Sequence, residues 1–364
     1  MLKSTLAVLK CAAHKKCKGE LSLLKDEGLD EIEYGTLVCK ICRSEYPVLA
    51  GVAIIVEDVP AYLYYHVKGI SKFVPYAKIP KAYRKDFLEA KEAMEEELTE
   101  EDLESDRVNA LYLMNHYLSV KQARERFWQP KSGDGSAPIE QLIENYWDKG
   151  PLMRVSSWFK IKGVNTIELG CGVGGLFSKI TIPLENYLGV DASFQSILLA
   201  RHFNLGTPYS GDLSIPGDLL HGAASRKINF TYPQKNPAAK VDFVVGEMDR
   251  IPAKNNFWDV TVAMNVIDML EDPRQLPEVQ SQLLKPGGQA IQSDPYIWHE
   301  KISKRLRGHL PKAISNSARA VEHLYEKAGF KIEESEDHVP WIFFKHLRQV
   351  ELYSVHAFIA KKHP

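Results

Sequence analysis

Short apolar runs separated by turns dominate the second half of the chain. Five of these runs have the length of strands, and they cover residues 164–169, 186–190, 241–245, 258–265 and 289–293. A helix is predicted to open at Leu176, directly after the first run, and another helix to end near Leu284. Apolar strands that alternate with helices are typical of a parallel sheet covered by helices. The pattern therefore predicts an α/β fold with a Rossmann-like sheet.

Helical spacing marks the region before the first of these strands. One helix is predicted from apolar residues that recur every three or four positions, namely Val108, Leu111, Met114 and Leu118. Residues 139–147 predict a second helix, and residues 129–138 predict a flexible loop. Candidate ligand contacts on the two helices, each with packing as its alternative role, are Tyr112, Asn115, Tyr146 and Trp147.

A glycine-rich turn joins the first strand to its helix and carries the most specific signal in the chain. It contains Glu168, Gly170, Gly172 and Gly174, and Asp191 ends the second strand. Glycines let the backbone turn tightly and approach a ligand closely. An acid after the second strand can hold the two hydroxyls of a ribose. These residues predict a site for a nucleoside-bearing cofactor.

A dinucleotide is one alternative, since Gly170, Gly172 and Gly175 also fit the glycine spacing that contacts a pyrophosphate. Glu168 lies two residues before the first of these glycines. A carboxylate at that place would repel phosphates, which disfavours the dinucleotide.

The turn, the acid and the later strands resemble the class I S-adenosylmethionine-dependent methyltransferases. Their E-x-G-x-G-x-G signature matches residues 168–174, and the Pro-Gly-Gly turn at 286–288 also fits them. The resemblance implies a seven-stranded sheet and S-adenosylmethionine as cofactor. It implies that Glu168 faces the methionine amino group, that Asp191 binds the ribose and that residues 247–248 flank the adenine. The implied cofactor-binding residues are Glu168, Gly170, Gly172, Gly174, Asp191, Ala192, Glu247, Met248 and Asn265.

Charge and hydropathy weaken several other classes. The 364 residues carry a formal net charge of −1, so no global basic field attracts nucleic acid, and a small molecule is the stronger candidate partner. No apolar run approaches the length of a membrane span. Lys10 interrupts the mildly apolar start, which argues against a secretory signal. These features predict a cytoplasmic enzyme, and they do not indicate its oligomeric state.

Four of the five cysteines lie in the first 42 residues, which points to metal binding rather than to disulfides. Cys39 and Cys42 have the spacing of a zinc knuckle, while Cys11 and Cys17 are further apart than is usual. His14 is the alternative to Cys11 as a ligand, and a cluster of reduced thiols without metal is the alternative to zinc. We predict a zinc site made of the four cysteines.

This segment resembles the zinc-ribbon activator that partners methyltransferases for tRNA, rRNA and release factors. That family has Y-P-I-x-x-G-I-P after its second knuckle, and residues 46–52 follow the pattern closely. The resemblance implies a module that covers an apolar edge of the catalytic domain and that folds with its metal. The predicted domains are a zinc-ribbon activator-like domain at 1–58, a helical connector or lid at 59–138 and an S-adenosylmethionine-binding methyltransferase domain at 139–364.

The methyl acceptor is expected beyond the carboxyl ends of the fourth and fifth strands. Asn265 and Asp268 follow the fourth strand, while Asp294 and Tyr296 follow the fifth. Polar groups that converge with aromatic ones are typical of a small-molecule pocket, although loop capping is the alternative role of Asn265 and Asp294. His346 in the tail completes the predicted catalytic set, whose candidate bases or orienting groups are Asp268, Asp294 and His346. The predicted aromatic walls are Tyr296, Trp298 and Trp341.

Three stretches resemble the C-terminal methyltransferase domain of ovothiol synthases, which methylates an imidazole nitrogen of mercaptohistidine. They read N-V-I-D-M-L-E-D-P from residue 265, D-P-Y-I-W from residue 294 and V-P-W-I-F-F-K-H-L-R from residue 339. The resemblance implies a small histidine-derived or other amino-acid-like acceptor. Phe344 and Lys345 stand where that family has arginine and glutamate, so a substrate held by this pair is expected to differ.

Three functions compete on this basis. The first is N-methylation of a small molecule, in which a neutral imidazole nitrogen needs no base and alignment with the methyl group supplies much of the catalysis. The second is methylation of tRNA, rRNA or protein with the zinc ribbon as a built-in activator. The third is a binding module without catalysis, which the intact glycine turn disfavours. We predict a small-molecule methyltransferase.

Overall fold

The computed structural model describes residues 1–14, 16–27, 31–95, 100–122, 138–205, 212–214, 225–227, 239–346 and 349–364. The loop predicted at 129–138 lies outside the described residues except for its last position.

Four short strands near the start of the chain form an antiparallel sheet whose spatial order is their order along the chain. They are β1 (Leu21–Glu27), β2 (Tyr34–Cys39), β3 (Glu45–Leu49) and β4 (Val52–Ala53). A two-residue hairpin joins β3 to β4, and its residues Ala50 and Gly51 have φ angles of 49° and 80°. Two consecutive positive φ angles are typical of a type I′ turn, whose twist matches that of the flanking strands.

A second, seven-stranded sheet forms the centre of the molecule. The remaining strands in chain order are β5 (Asn165–Leu169), β6 (Asn186–Asp191), β7 (Asp212–Ser214), β8 (Ser225–Lys227), β9 (Lys240–Val245), β10 (Trp258–Met264), β11 (Leu284–Asp294), β12 (Phe330–His346) and β13 (Gln349–Lys362). The central order is β12-β13-β11-β10-β5-β6-β9, and β7 pairs with β8 alone. The five neighbouring strands β11, β10, β5, β6 and β9 are parallel to one another. Strand β13 is antiparallel to both of its neighbours, β11 and β12. The predicted α/β fold with a seven-stranded sheet is confirmed.

The strand boundaries follow the apolar runs closely. The ends of β5, β6, β9 and β10 lie within one residue of the prediction, whereas β11 begins at Leu284 rather than at Gln289. The additional residues of β11 contain the Pro-Gly-Gly segment, and the register with β10 shifts there. A bulge therefore absorbs the predicted turn inside the strand.

Helices pack against the central sheet. They are α1 (Val59–Tyr65), α2 (Val67–Ser71), α3 (Arg84–Glu95), α4 (Glu100–Tyr117), α5 (Pro138–Tyr146), α6 (Pro151–Ser157), α7 (Gly175–Lys179), α8 (Phe194–Asn204), α9 (Gln275–Leu283), α10 (Glu300–Arg307) and α11 (Ser317–Lys327). The helices predicted around residues 108–118 and 139–147 correspond to α4 and α5. In the part of the chain that the structure describes, no helix is long and apolar enough to cross a membrane.

The N-terminal unit lies against the β9 edge of the central sheet. Ile54 forms a parallel bridge with Val245, and the Ile55 N–H donates to the Val245 carbonyl at 3.1 Å. A buried ion pair joins Arg201 of α8 to Asp242 of β9, and the same guanidinium reaches Glu31 of the N-terminal unit. One apolar core runs through both units. The contact covers an edge strand whose backbone groups would otherwise lack partners. The division into three domains remains a prediction.

Candidate functional site

The glycine turn lies at the carboxyl end of β5, where its backbone is fixed by the neighbouring strand. The N–H groups of Gly170 and Cys171 both donate to the Val190 carbonyl, at 2.8 and 3.1 Å. Gly170 has a φ of 69°, and a Cβ atom there would overlap the side chain of Val266. Gly172 has a φ of 50°, and no atom lies within 4 Å of the place where its Cβ would be. The turn therefore leaves an open surface of backbone on one side.

Asp191 connects the end of β6 to this turn. Its carboxylate accepts hydrogen bonds from the N–H groups of Gly172 at 2.9 Å and Ser193 at 2.8 Å. Burial raises its pKa, and these backbone donors oppose the increase. The adjacent Ala192 carbonyl accepts a hydrogen bond from the Tyr62 hydroxyl at 2.6 Å. The acid thus holds the turn in place and still has lone pairs for a ligand.

Glu168 lies beneath the turn and is 4% exposed. The hydroxyl of Tyr187 on β6 donates a hydrogen bond to its carboxyl group. Burial raises the pKa of Glu168 to about 8, which the Tyr187 hydroxyl opposes and the charge of Asp191 reinforces. A positively charged group placed beside Glu168 would favour its ionised form.

A cavity of about 410 Å³ opens over these residues. Its volume lies within the range of small-ligand sites. None of the described residues that line it is a lysine or an arginine, and its carboxyl groups come from Glu168 and Asp191. The cavity therefore suits a ligand that carries positive charge and hydroxyl groups.

The structure brings most of the predicted cofactor residues to this cavity. Seven of them line it, namely Glu168, Gly170, Gly172, Asp191, Ala192, Met248 and Asn265. Gly174 and Glu247 are not among the lining residues. Gly174 precedes α7 with a φ of 75° and packs against Asn204 and Phe243. Burial, reinforced by Asp249, raises the pKa of Glu247.

Asn265 is the predicted acceptor residue that lines the cavity. It has a φ of 56°, and its N–H donates to the Ser293 carbonyl at 2.8 Å. Its side-chain Oδ1 is buried, and no described residue donates a hydrogen bond to it. A buried acceptor without a donor costs free energy, which a donor on a bound molecule would offset.

The other predicted acceptor residues contact one another and do not line the cavity. Asp268 accepts a hydrogen bond from the Ile297 N–H at 2.7 Å, and Asp294 accepts one from the Tyr296 N–H at 2.6 Å. Burial and the neighbouring Asp268 raise the pKa of Asp294 well above its ordinary value. The other carboxyl oxygen of Asp294, Oδ2, is buried, and no described residue hydrogen bonds to it.

A hydrogen-bonded row leads from Tyr296 away from the cavity. Its hydroxyl and His356 Nδ1 lie 2.7 Å apart, and His356 Nε2 lies 3.0 Å from the Ser335 hydroxyl. Ser335 donates to Glu322 at 2.7 Å. His356 was not among the predicted site residues, and it reaches Tyr296 because β13 pairs with β11. No local motif marks such a partner. The side chain of His346 lies outside the described residues.

Helix α4 and strand β12 also contribute residues to the lining of the cavity. Tyr112 and Trp341, both singled out in the sequence, line it, and so do Asn109 and His116. Asn115 instead exchanges hydrogen bonds with the backbone of Phe344. Of the other predicted contacts, Trp147 donates to the Leu118 carbonyl, Trp298 stacks on Tyr296, and neither these two nor Tyr146 lines the cavity.

The four N-terminal cysteines converge on one point. The Sγ atoms of Cys11, Cys17, Cys39 and Cys42 all lie within 4.8 Å of one another. Cys11 and Cys42 are 3.5 Å apart and Cys17 and Cys39 are 3.6 Å apart, close to the edge of about 3.8 Å expected for a tetrahedron with Zn–S bonds of about 2.3 Å. His14 is exposed and does not belong to this group. A Cβ atom at Gly19 would overlap the Cys39 sulfur, so the backbone approaches the cluster closely there.

The residues of the cavity fit S-adenosylmethionine. Gly172 leaves room for the ligand against the backbone, and the acids match a cationic ligand with a ribose. The fit rests on the chemistry of the lining and on the space in front of the turn.

Known proteins resemble this chain mainly in its central part. The most similar relatives include the mitochondrial ubiquinone biosynthesis O-methyltransferase of Dictyostelium discoideum, 24% identical over 129 residues, which are 35% of this chain and 34% of that protein. The ubiquinone biosynthesis O-methyltransferase of Leptothrix cholodnii is 23% identical over 165 residues, or 42% of this chain and 58% of that protein. The chain thus spans less than two thirds of the length of these curated relatives.

Among solved structures, a complex of the Haloferax volcanii Trm112 methyltransferase activator with a methyltransferase has a TM-score of 0.39 and 15% identity. It covers 62% of this chain and 94% of that one. The magnesium protoporphyrin IX methyltransferase of Synechocystis PCC 6803 has a TM-score of 0.37 and 14% identity, with coverage of 71% and 99%.

The family model described as "Methyltransferase domain" matches residues 100–335, from α4 into β12, and this range includes the described lining residues of the cavity except Trp341. This match spans well over half of the chain. The predicted class of enzyme is confirmed at the level of the family, and the chain belongs to the methyltransferase-domain family.

Proposed function

We propose that the protein transfers the methyl group of S-adenosylmethionine to a neutral nitrogen of a small acceptor. A histidine-derived or other amino-acid-like compound is the leading candidate. The observation that carries the proposal is the buried Asn265 Oδ1, which lines the cavity and accepts no hydrogen bond from a described residue.

S-adenosylmethionine supplies an already activated methyl group, so the protein's residues mainly have to hold and align the acceptor. An imidazole offers an N–H that can donate to Asn265 Oδ1 and, on the other ring nitrogen, a lone pair for the methyl group. Trp341, Met269 and Leu270 supply the apolar surface of the same cavity. In this arrangement Asn265 orients the acceptor without removing a proton from it.

An alcohol or an ammonium group needs a general base before it can be methylated, and the residues that line the cavity favour an acceptor that needs none. Burial and Lys179 lower the pKa of His116, a lining residue, to about 3. Asp191 accepts two backbone hydrogen bonds, and Glu168 is bonded to Tyr187. The low pKa makes His116 a poor general base, and both carboxyl groups are held by hydrogen bonds within the protein. A neutral nitrogen nucleophile needs no base.

Methylation of tRNA, rRNA or protein with the N-terminal unit as activator is the alternative. The described lining of the cavity contains no cation to bind a phosphate, which favours the small molecule. O-methylation, for which the relatives in ubiquinone biosynthesis are named, would require a base to deprotonate a hydroxyl.

Incubation with labelled S-adenosylmethionine tests the proposal. The protein is offered a metabolite extract, total RNA and proteome in separate reactions. We expect label in a small nitrogen compound; label confined to RNA or protein, or to a hydroxyl oxygen, contradicts the proposal.

Two matched variants test the role of Asn265. Asn265→Gly keeps a residue that tolerates a positive φ, and Asn256→Gly is its control, since Asn256 has a φ of 50° and does not line the cavity. We expect methyl transfer to fall about 10- to 100-fold in the first variant, the range for a lost hydrogen bond to a buried acceptor of roughly 1.5–3 kcal/mol, and to stay unchanged in the second. Equal activity in the two variants would remove the role assigned to Asn265.

We also propose that Cys11, Cys17, Cys39 and Cys42 bind zinc, which crosslinks the segment before β1 to the turn after β2. A cytoplasmic location, where thiols stay reduced, belongs to the same proposal. Metal analysis of Cys39→Ser against Cys171→Ser tests it, because Cys171 is buried in the glycine turn outside the cluster. We expect one zinc per chain in the wild type and in Cys171→Ser and none in Cys39→Ser. Equal zinc contents would contradict the site.

A further inference from the structure

Helix α4 is fastened to the glycine turn by buried hydrogen bonds. The Tyr117 hydroxyl donates to the Val173 carbonyl at 2.8 Å, and Asn204 of α8 donates to the same hydroxyl at 2.8 Å. About two helical turns before His116, Asn109 accepts a hydrogen bond from the Ser196 hydroxyl at 2.8 Å. These contacts fix the face of α4 that points to the cavity.

His116 lies on this face, directly over the start of α7. A Cβ atom at Gly175 would overlap His116 Nδ1, so the imidazole and the turn are in close contact. The ring also contacts Tyr112, with its centroid 5.4 Å away, and it lines the cavity. Nδ1 is buried, and no described residue hydrogen bonds to it. The neighbouring polar side chains Asn109 and Tyr117 have partners, so the imidazole stands out on α4.

The chemistry of the cavity leaves one part of the cofactor without a partner. Glu168 and Asp191 suit the ammonium group and the ribose, but the amino-acid end of S-adenosylmethionine also carries a carboxylate. A buried carboxylate requires hydrogen-bond donors. No lysine or arginine is found among the described lining residues, whereas His116 lines the cavity and lies against Gly175 of the glycine turn.

We propose that the imidazole of His116 donates an N–H hydrogen bond to the carboxylate of the cofactor. This inference rests on the proposed function and deepens it, because it assigns the residue that recognises the amino-acid end. It also gives α4 a role as a clamp, since the bound carboxylate would join α4 to the turn after β5. A neutral imidazole can serve as the donor with either ring nitrogen protonated.

Two nucleosides separate recognition of the carboxylate from binding of the rest of the cofactor. S-adenosylhomocysteine carries the amino-acid end, and 5′-methylthioadenosine lacks it. Both are titrated calorimetrically into the full chain, so the readout is affinity and not turnover. For His116→Ala we expect roughly 10- to 100-fold weaker binding of S-adenosylhomocysteine, the range for a charge-assisted hydrogen bond, and less than a twofold change for 5′-methylthioadenosine.

Two further variants keep the result interpretable. His116→Gln retains an N–H donor and is expected to recover most of the affinity for S-adenosylhomocysteine. His323→Ala is the matched control, because His323 lies on helix α11 and does not line the cavity. Equal losses for both nucleosides in His116→Ala would show a structural role and overturn the proposal, as would unchanged binding of S-adenosylhomocysteine.

The outcome for the wild type separates this inference from the proposed function. If the wild type binds neither nucleoside, the assignment of the cofactor fails. If the wild type binds both nucleosides, and His116→Ala keeps the same ratio of affinities for S-adenosylhomocysteine and 5′-methylthioadenosine, only the role of His116 fails.

Discussion

The two halves of the cleft place their polar groups in opposite ways. In the cofactor half, Glu168, Gly172 and Asp191 line the cavity, and their bonds to the protein fix the turn without closing it. In the acceptor half, Asp294 and Tyr296 bond to their own loop and to His356, and neither lines the cavity. The comparison teaches that a polar residue at the end of a strand becomes a ligand contact only when its hydrogen bonds leave it facing the cavity.

The difference follows from how each half is assembled. The cofactor half comes from one continuous unit, β5, the turn, α7 and β6, whose neighbouring strands fix one another. The acceptor half comes from the ends of β10 and β11, from β12 and from α4. Asn265 is the exception in that half, because it lines the cavity. Its backbone has a positive φ and donates a hydrogen bond to the Ser293 carbonyl.

Gly170→Ala gives the largest expected effect on the cofactor half. The new Cβ would overlap Val266 and would also require a positive φ, so we expect destabilisation of about 3–5 kcal/mol and loss of measurable cofactor binding. Gly163→Ala is the control, because Gly163 has a φ of 71° and no atom within 4 Å of its Cβ position, and it should cost about 1 kcal/mol. Denaturant unfolding and calorimetry measure both; similar losses would show that backbone strain, and not the close approach, decides the effect.

Glu168→Gln tests the buried acid through the pH dependence of stability. The folded-state pKa of Glu168 is about 8 and its ordinary value is 4.5, so its neutral form is favoured in the folded protein. The contribution to stability is therefore complete below about pH 4.5 and is lost as the pH rises to about 8, by about 3–5 kcal/mol.

The variant should lose this slope between pH 5 and 8 relative to the wild type. The free energy of unfolding is measured across that window, with the exposed Glu185→Gln as control. Parallel curves for Glu168→Gln and the wild type would contradict the raised pKa.

Asp191→Asn weakens the cofactor half without removing the turn. An amide can accept only one of the two backbone hydrogen bonds from Gly172 and Ser193 without turning its NH₂ group towards the other, and it carries no charge. We expect a roughly 10- to 100-fold loss of affinity for the cofactor. Asp259→Asn is the control, since Asp259 accepts the Asn165 N–H at the opposite end of β5. If Asp259→Asn were equally damaging, loss of sheet stability would explain the effect of Asp191→Asn.

Tyr296→Phe has the smallest expected effect on cofactor binding. It removes the hydrogen bond to His356 and should reduce stability by about 1 kcal/mol, with less than a twofold change in cofactor affinity. Tyr353→Phe, which removes a hydrogen bond to Glu351 on the same pair of strands as His356, is the matched comparison. A loss of acceptor turnover with stability and cofactor affinity intact would show that Tyr296 contacts the acceptor and that the contrast between the two halves is too sharp.

Much of the central sheet could be predicted because the information lies in short stretches. The apolar runs place β5, β6, β9 and β10 within one residue. The long strands β12 and β13 were not predicted, although their residues were noted as a motif, because charged positions such as 333–337 interrupt the apolar pattern. Pairing with β11 makes these residues part of the sheet.

The residues of the candidate site likewise include some that local sequence spacing predicts and others that only the tertiary structure brings to the cleft. The spacing from Glu168 to Asp191 identifies residues that neighbouring parallel strands must bring to one edge. His116 and His356 carry no such spacing, because they reach the cleft from α4 and β13. In the N-terminal unit, the cysteine spacing predicts a cluster, and the close approach of the four sulfurs is what selects Cys11 over His14.

The sequence by itself determined the class of fold, the glycine turn, the acid at the end of β6 and the grouping of the cysteines. Each of these depends on local geometry, on strand length, helical spacing and the few residues that allow a tight turn. The tertiary structure alone decided which polar side chains face the cavity, because that depends on hydrogen bonds between distant segments. It turned Tyr296 towards His356, left Asn265 Oδ1 at the cavity without a described donor, and laid His116 over the glycine turn.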